Sequence, residues 1–90
     1  NFALELGDTH RGLAKAANSF FVFWDELLCG LLNKAKSQGK LRSDTDCESL
    51  SRLIISCVEG AILVSKASKD AESLRETVKT LKSVISTYKV

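Results

Sequence analysis

Glu48-Ser49-Leu50-Ser51-Arg52-Leu53-Ile54-Ile55-Ser56-Cys57-Val58-Glu59-Gly60-Ala61-Ile62-Leu63-Val64-Ser65-Lys66 is the stretch that decides the fold. Leu50, Leu53, Ile54, Cys57, Ala61 and Val64 recur at helical period and form one apolar face. Ile55, Val58 and Ile62 form a second face, turned from the first by roughly a quarter to a third of a circle. A helix that is apolar on two sides has to be covered on two sides. Thr45-Asp46-Cys47-Glu48 opens this helix. Thr45 with Glu48 has capping-box spacing, and Asp46 is the alternative N-cap.

Downstream, Ser68-Lys69-Asp70 reads as a tight turn with Asp70 as N-cap. A further helix then spans about Ala71 to Tyr88. Its Leu74, Val78, Leu81, Ile85 and Tyr88 recur at four, three, four and three, the seam of helices packed at shallow angles. Glu72, Arg75, Glu76, Lys79 and Lys82 cover the other side. Upstream, a long pattern runs from about Thr9 to Gln38. Leu13, Ala17, Phe20, Trp24, Leu27 and Leu31 make its main stripe, with Ala14, Phe21, Leu28 and Ala35 beside it. Asp8 or Thr9 can cap its start, and Gly39 sits where a left-handed residue would end it. Before it, Asn1–Leu6 reads as the tail of another helix, stopped near Gly7-Asp8. The connector Lys40–Thr45 is polar apart from Leu41.

The chain has 90 residues, no proline and five glycines, so turns are few and helices long. The expected architecture is all-α, an antiparallel helical bundle of one domain. A short loop makes the last two helices a hairpin, one face of which rests on the first long helix. Ile55, Val58 and Ile62, and part of the seam of Leu74, Val78, Leu81 and Ile85, then have no partner within the chain. Leaving such side chains in water costs roughly 1.5–3 kcal/mol each relative to burial. A second copy of the hairpin supplies the cover, giving a four-helix interface across a two-fold axis. Gly60, mid-helix, permits close approach either of that second copy or at a crossing within one chain.

Charge and cysteine usage narrow the function. Thirteen Lys and Arg against eleven Asp and Glu give a net charge of +2, with the lysines dispersed. Nucleic-acid binding by these residues themselves is disfavoured. Three cysteines, Cys29, Cys47 and Cys57, form no CxxC pair, and His10 is the one histidine, so neither a disulfide framework nor a metal site is expected. A reducing, cytoplasmic setting fits, and no apolar run is long enough for a membrane span. No catalytic residue is assigned: His10 and the cysteines lack an orienting third group, and the Asp25 and Glu26 side chains diverge by about 100°. No cofactor is expected.

Phe20, Phe21, Phe23 and Trp24 place four aromatics within five residues, more than one stripe can send in one direction. They either line a cavity for a small apolar or aromatic effector or simply fill the core. Phe20, Phe21 and Trp24 are the candidate lining. Asn18 and Glu26 are candidate polar contacts, Phe2 and Leu6 could close the pocket from the preceding helix, and Cys57 lies on the inner face beside Ile54 and Ala61. Cys57 is either a small buried hydrophobe or a sensing thiol, although no cation flanks it to activate it.

The chain resembles one branch of the tetracycline-repressor (TetR) family. Asn1-Phe2-Ala3-Leu4-Glu5-Leu6-Gly7-Asp8 is similar to a stretch of that branch, as are Phe20–Trp24 and the connector Gly39-Lys40-Leu41-Arg42-Ser43-Asp44-Thr45-Asp46. Glu59-Gly60-Ala61 followed by Ser65–Asp70 is similar to its penultimate helix, and Cys47 stands where relatives often carry proline. The resemblance implies a homodimeric effector-binding and dimerisation domain over residues 1–90. It also implies a transcriptional repressor whose operator DNA is held by an N-terminal helix-turn-helix outside these residues. With no methionine in the chain, Asn1 is not expected to be a translation start. The alternative is a helical dimerisation or interaction module that binds no effector.

Overall fold

The computed structural model describes residues 2–90, with the side chains of residues 11, 12 and 14–90. Three helices follow one another: α1 (Phe2–Ser37), α2 (Cys47–Ser68) and α3 (Glu72–Ser86). Helix α1 is unbroken, so the expected stop at Gly7-Asp8 and the cap at Asp8 or Thr9 are corrected. A lone helical glycine costs about 1 kcal/mol relative to alanine; it weakens a helix without ending it when no proline follows.

The end of α1 is as expected. Gly39 has φ of 75°, the Lys40 N–H donates to the Ala35 carbonyl at 2.9 Å, and the Gly39 N–H donates to the Lys36 carbonyl at 3.0 Å. Together these form a Schellman motif, which satisfies the last carbonyls of the helix. At the start of α2 the structure chooses between the two candidate caps. The Ser49 N–H donates to Asp46 Oδ1 at 3.1 Å and the Ser49 hydroxyl to Asp46 Oδ2 at 2.9 Å. Asp46 is therefore the N-cap, and the Thr45–Glu48 box does not form. Thr45 is instead buried, and its carbonyl accepts from Lys36 Nζ at 2.8 Å.

Helix α2 runs to Ser68, beyond the expected end, because Lys69 takes up the left-handed conformation (φ 60°) and the Lys69 and Asp70 N–H groups both donate to the Ser65 carbonyl. The turn into α3 differs in detail from expectation. Ala71 occupies the N-cap position, while Asp70 Oδ1 accepts from the Glu72 N–H at 2.9 Å. The Ser65 hydroxyl of α2 accepts from the Leu74 N–H at 3.2 Å, satisfying one of the orphan donors of α3. Helix α3 ends at Ser86. Beyond it the chain turns back, so that Lys89 forms an antiparallel bridge with Leu41. The Arg42 N–H donates to the Tyr88 carbonyl at 2.8 Å and the Val90 N–H to the Lys40 carbonyl at 3.2 Å.

The expected hairpin of the last two helices is present, and it rests on the first long helix through α2. Helices α1 and α3 each pack on α2 and, among the described residues, make no helix-to-helix contact with each other. The result is a row one helix thick, 56 × 26 × 15 Å. Its radius of gyration is 16.4 Å, against about 12 Å for a compact domain of this length. Its accessible surface is 6772 Å², against about 5,200 Å² for a compact monomer of its mass. The all-α class holds, and the missing compactness measures how much cover the row lacks.

The core sits at the end of the row where the connector crosses. Leu32, Leu41, Cys47 and Leu50 are buried together, with Leu28, Cys29, Ala35, Ile54 and Tyr88 packed around them. The face of α1 that turns to α2 carries Leu28, Leu32 and Ala35, which is close to the secondary stripe. Asp25 and Lys36, on the same side, fix that choice. The fully buried Ser51 hydroxyl donates to Asp25 Oδ1 at 2.7 Å, and Lys36 reaches the Thr45 carbonyl. The main stripe is left outside: Phe20 is 61% exposed and Leu31 59%.

Candidate functional site

Antiparallel packing of α1 on α2 sets Phe20 and Trp24 opposite Ile55, Val58 and Ile62. Together with Ile54 and Glu59 these residues line an open hollow of about 380 Å³. That is within the range of small-molecule sites, about 300–1,000 Å³. Among the described residues its wall is carbon apart from Glu59. The Phe20 and Trp24 rings lie 6.0 Å apart at 52°, and Phe23 meets Trp24 edge-on at 5.4 Å. A shallower recess continues it along α1, lined by Ala16 and Ala17 and sharing Phe20, Glu59 and Ile62 with the hollow.

Two sets of residues that periodicity kept apart thus meet here. Phe20 and Trp24, expected at a ligand pocket, share walls with Ile55, Val58 and Ile62, expected at a dimer interface. The expectation that Ile55 has no partner within the chain is corrected, since it is 7% exposed. Leu81 is likewise buried within the chain, while Leu74 and Ile85 are half-buried and Val78 is exposed. Cys57 is not with the aromatics. It lies across α2, in a groove with Leu53, Glu76, Thr77, Thr80, Leu81 and Val84. Phe21 is half-buried and Asn18 exposed, and neither is on the wall of the hollow. The side chains of Phe2, Leu6 and His10 lie outside the described residues.

Sequence reasoning gave Glu59 no role of its own. The signal was available: Ile55, Val58, Glu59 and Ile62 follow i, i+3, i+4, i+7, which places one acid on an apolar face. It also missed the outer side of α2, where Leu53, Val64 and Leu63 are exposed, Leu63 to 69%. Gly60 lies on that side, and a Cβ built on it meets no atom within 4 Å. A crossing within the chain therefore does not explain this glycine.

The other clusters offer less chemistry. Asp25, Glu26, Cys29, Glu48 and Arg52 border a recess beside the α1–α2 seam, but Asp25 is held by Ser51. Local desolvation, the Glu48 and Asp25 carboxylates and the Cys47 thiol raise the pKa of the Cys29 thiol, opposed by the Asn33 amide that donates to it. A thiol kept protonated is a poor nucleophile. Among the described residues no group of His, Cys, Asp and Glu is arranged to hold a metal ion, and no helix is long and apolar enough to cross a membrane.

Comparison with known proteins agrees with this architecture. No curated protein matches the chain. It is similar to the crystal structure of a transcriptional regulator of the TetR family from Cytophaga hutchinsonii, with a TM-score of 0.79 and 30% identity over 97% of this chain and 44% of that one. The chain therefore spans less than half the length of that relative. Residues 1–81 match the family described as tetracyclin repressor-like, C-terminal domain. With a match over most of its length, and with three helices that stack as in the Cytophaga regulator, this chain belongs to the TetR family through its C-terminal domain.

Proposed function

We propose that residues 1–90 are the regulatory part of a TetR-type transcription regulator. A small apolar or aromatic effector enters the hollow between α1 and α2, and a second copy of the chain covers the outer side of α2 and α3. Operator DNA is held by an N-terminal helix-turn-helix outside these residues, and the effector releases it, so the protein acts as a repressor. The observation that carries this reading is the carbon-walled hollow bounded by Phe20, Trp24, Ile55, Val58 and Ile62, in a chain of this family. An effector that binds one of two conformations of the protein more tightly shifts their populations, and by the same coupling free energy it shifts the affinity for DNA.

Filling the hollow tests the effector site. Compounds from a panel of small aromatics that bind the full-length protein should lose affinity at least tenfold in Ile62→Trp. Retention of full affinity would place their site elsewhere. The dimer has its own test. Gly60→Leu should shift the full-length protein from two subunits to one in analytical ultracentrifugation, because the open space over Gly60 is where the partner helix is expected. An unchanged dimer would remove α2 from the interface.

A further inference from the structure

We infer that the hollow selects a hydrophobic organic cation, with Glu59 as its counter-charge; this deepens the effector reading above and rests on it. Glu59 is half-buried and borders both the hollow and the recess that continues it. Among the described residues it is the one charged side chain on either wall. Among the described residues its carboxylate has no ion pair and no hydrogen bond. Filling the hollow with an uncharged molecule strips water from that carboxylate and gives nothing back. An anion meets repulsion as well. A cation answers both, and the surroundings suit one whose charge is shielded by carbon.

Phe20 and Trp24 lie on the wall, and aromatic rings attract cations that have shed their water. Ile54, Ile55, Val58 and Ile62 supply apolar cover on one side of Glu59, and Ala16 and Ala17 leave room on the other. Glu59 thus borders both the hollow and the recess that continues it. That geometry fits a positive centre carrying apolar groups in two directions, such as a substituted ammonium or phosphonium ion. A compact, strongly hydrated cation gains nothing from such walls.

Two ions of the same shape and opposite charge separate these terms. Tetraphenylphosphonium and tetraphenylborate are titrated into the full-length protein by calorimetry in sodium buffer. The phosphonium should bind the wild type more tightly than the borate. Glu59→Gln should weaken the phosphonium at least tenfold and leave the borate unchanged or tighter. Far-UV circular dichroism confirms that the variant is folded; if it is not, the wild-type preference between the two ions decides. Tighter binding of the borate, or a phosphonium affinity untouched by Glu59→Gln, overturns the charge selection while leaving an effector hollow in place. Binding of neither ion overturns both the selection and the hollow's role as a site for such molecules.

Discussion

The two ends of the α1–α2 pair are built differently. At the connector end, Leu32, Leu41, Cys47 and Leu50 are buried, the helix termini are capped, and the last residues of the chain are bonded to the connector. At the other end Phe20, Phe23 and Trp24 stand at the surface, Phe23 61% exposed. The same composition of apolar side chains thus serves two purposes. One set closes a core within the chain; the other is left at the surface. Contiguous exposed apolar area of that kind marks a binding face in soluble proteins.

The contrast predicts unequal costs for equal deletions. Leu50→Ala, at the centre of the connector core, should lower unfolding free energy by about 2–5 kcal/mol in denaturant titrations. Leu31→Ala, on the exposed stripe, should cost less than about 0.5 kcal/mol in the 90-residue chain. A loss at Leu31 as large as that at Leu50 would mean that the stripe is covered, and the division into a closed and an open end would fail. Ser51→Ala comes next in size. It removes the hydroxyl that joins α2 to the Asp25 carboxylate across the seam. Hydrogen bonds to charged groups contribute about 1.5–3 kcal/mol, and a loss near that range is expected.

Gly39→Ala should cost about 1–2 kcal/mol, because alanine is strained at the positive φ of the Schellman turn. No steric clash contributes, since a Cβ there meets open space. A neutral result would show that the turn can rebuild itself. The smallest effect belongs to Asp46. Hydrogen bonds from the Ser49 backbone and then the Ser49 side chain hold its carboxyl below its usual value in the folded chain. The unfolded chain therefore binds the proton more readily. This contribution is full above about pH 4, the usual carboxylate range, and is lost as pH falls through the folded value. The stability gap between wild type and Asp46→Asn should accordingly narrow below about pH 4. A gap that stays constant into acid would show that the charge plays no part in the cap.

Helix type and order were legible from the sequence because α2 and α3 repeat apolar residues at helical period and are punctuated by Gly39, Asp46 and the turn at Lys69. The choice of face on α1 was not legible. Both of its stripes are apolar, and the residues that decide between them, Asp25 and Lys36, are charged. Periodicity reads such residues as solvated, whereas here they make the hydrogen bonds that orient the helix. Glu59 was legible as one acid on an apolar face of α2, but the α1 residues that share its hollow, Phe20 and Trp24, lie more than thirty residues away in the chain. Ile55, Val58 and Ile62 were read as needing cover from a second copy, whereas Ile55 is covered within the chain; two stripes on one helix carry no sign of which neighbour takes which. That assignment depends on α1 lying on one flank of α2 and α3 on the other.

The short bridge between Leu41 and Lys89 knots three things at one point: the end of α1, the start of α2 and the tail of α3. A row of helices pinned at one corner behaves as a fan. From that pin to the Phe20 ring is about 25 Å of helix at 1.5 Å per residue. A tilt of about 5° at the knot therefore sweeps Phe20 through about 2 Å. Under the proposed effector reading, a small molecule wedged beneath the ring would be turned by such leverage into a larger displacement farther along α1.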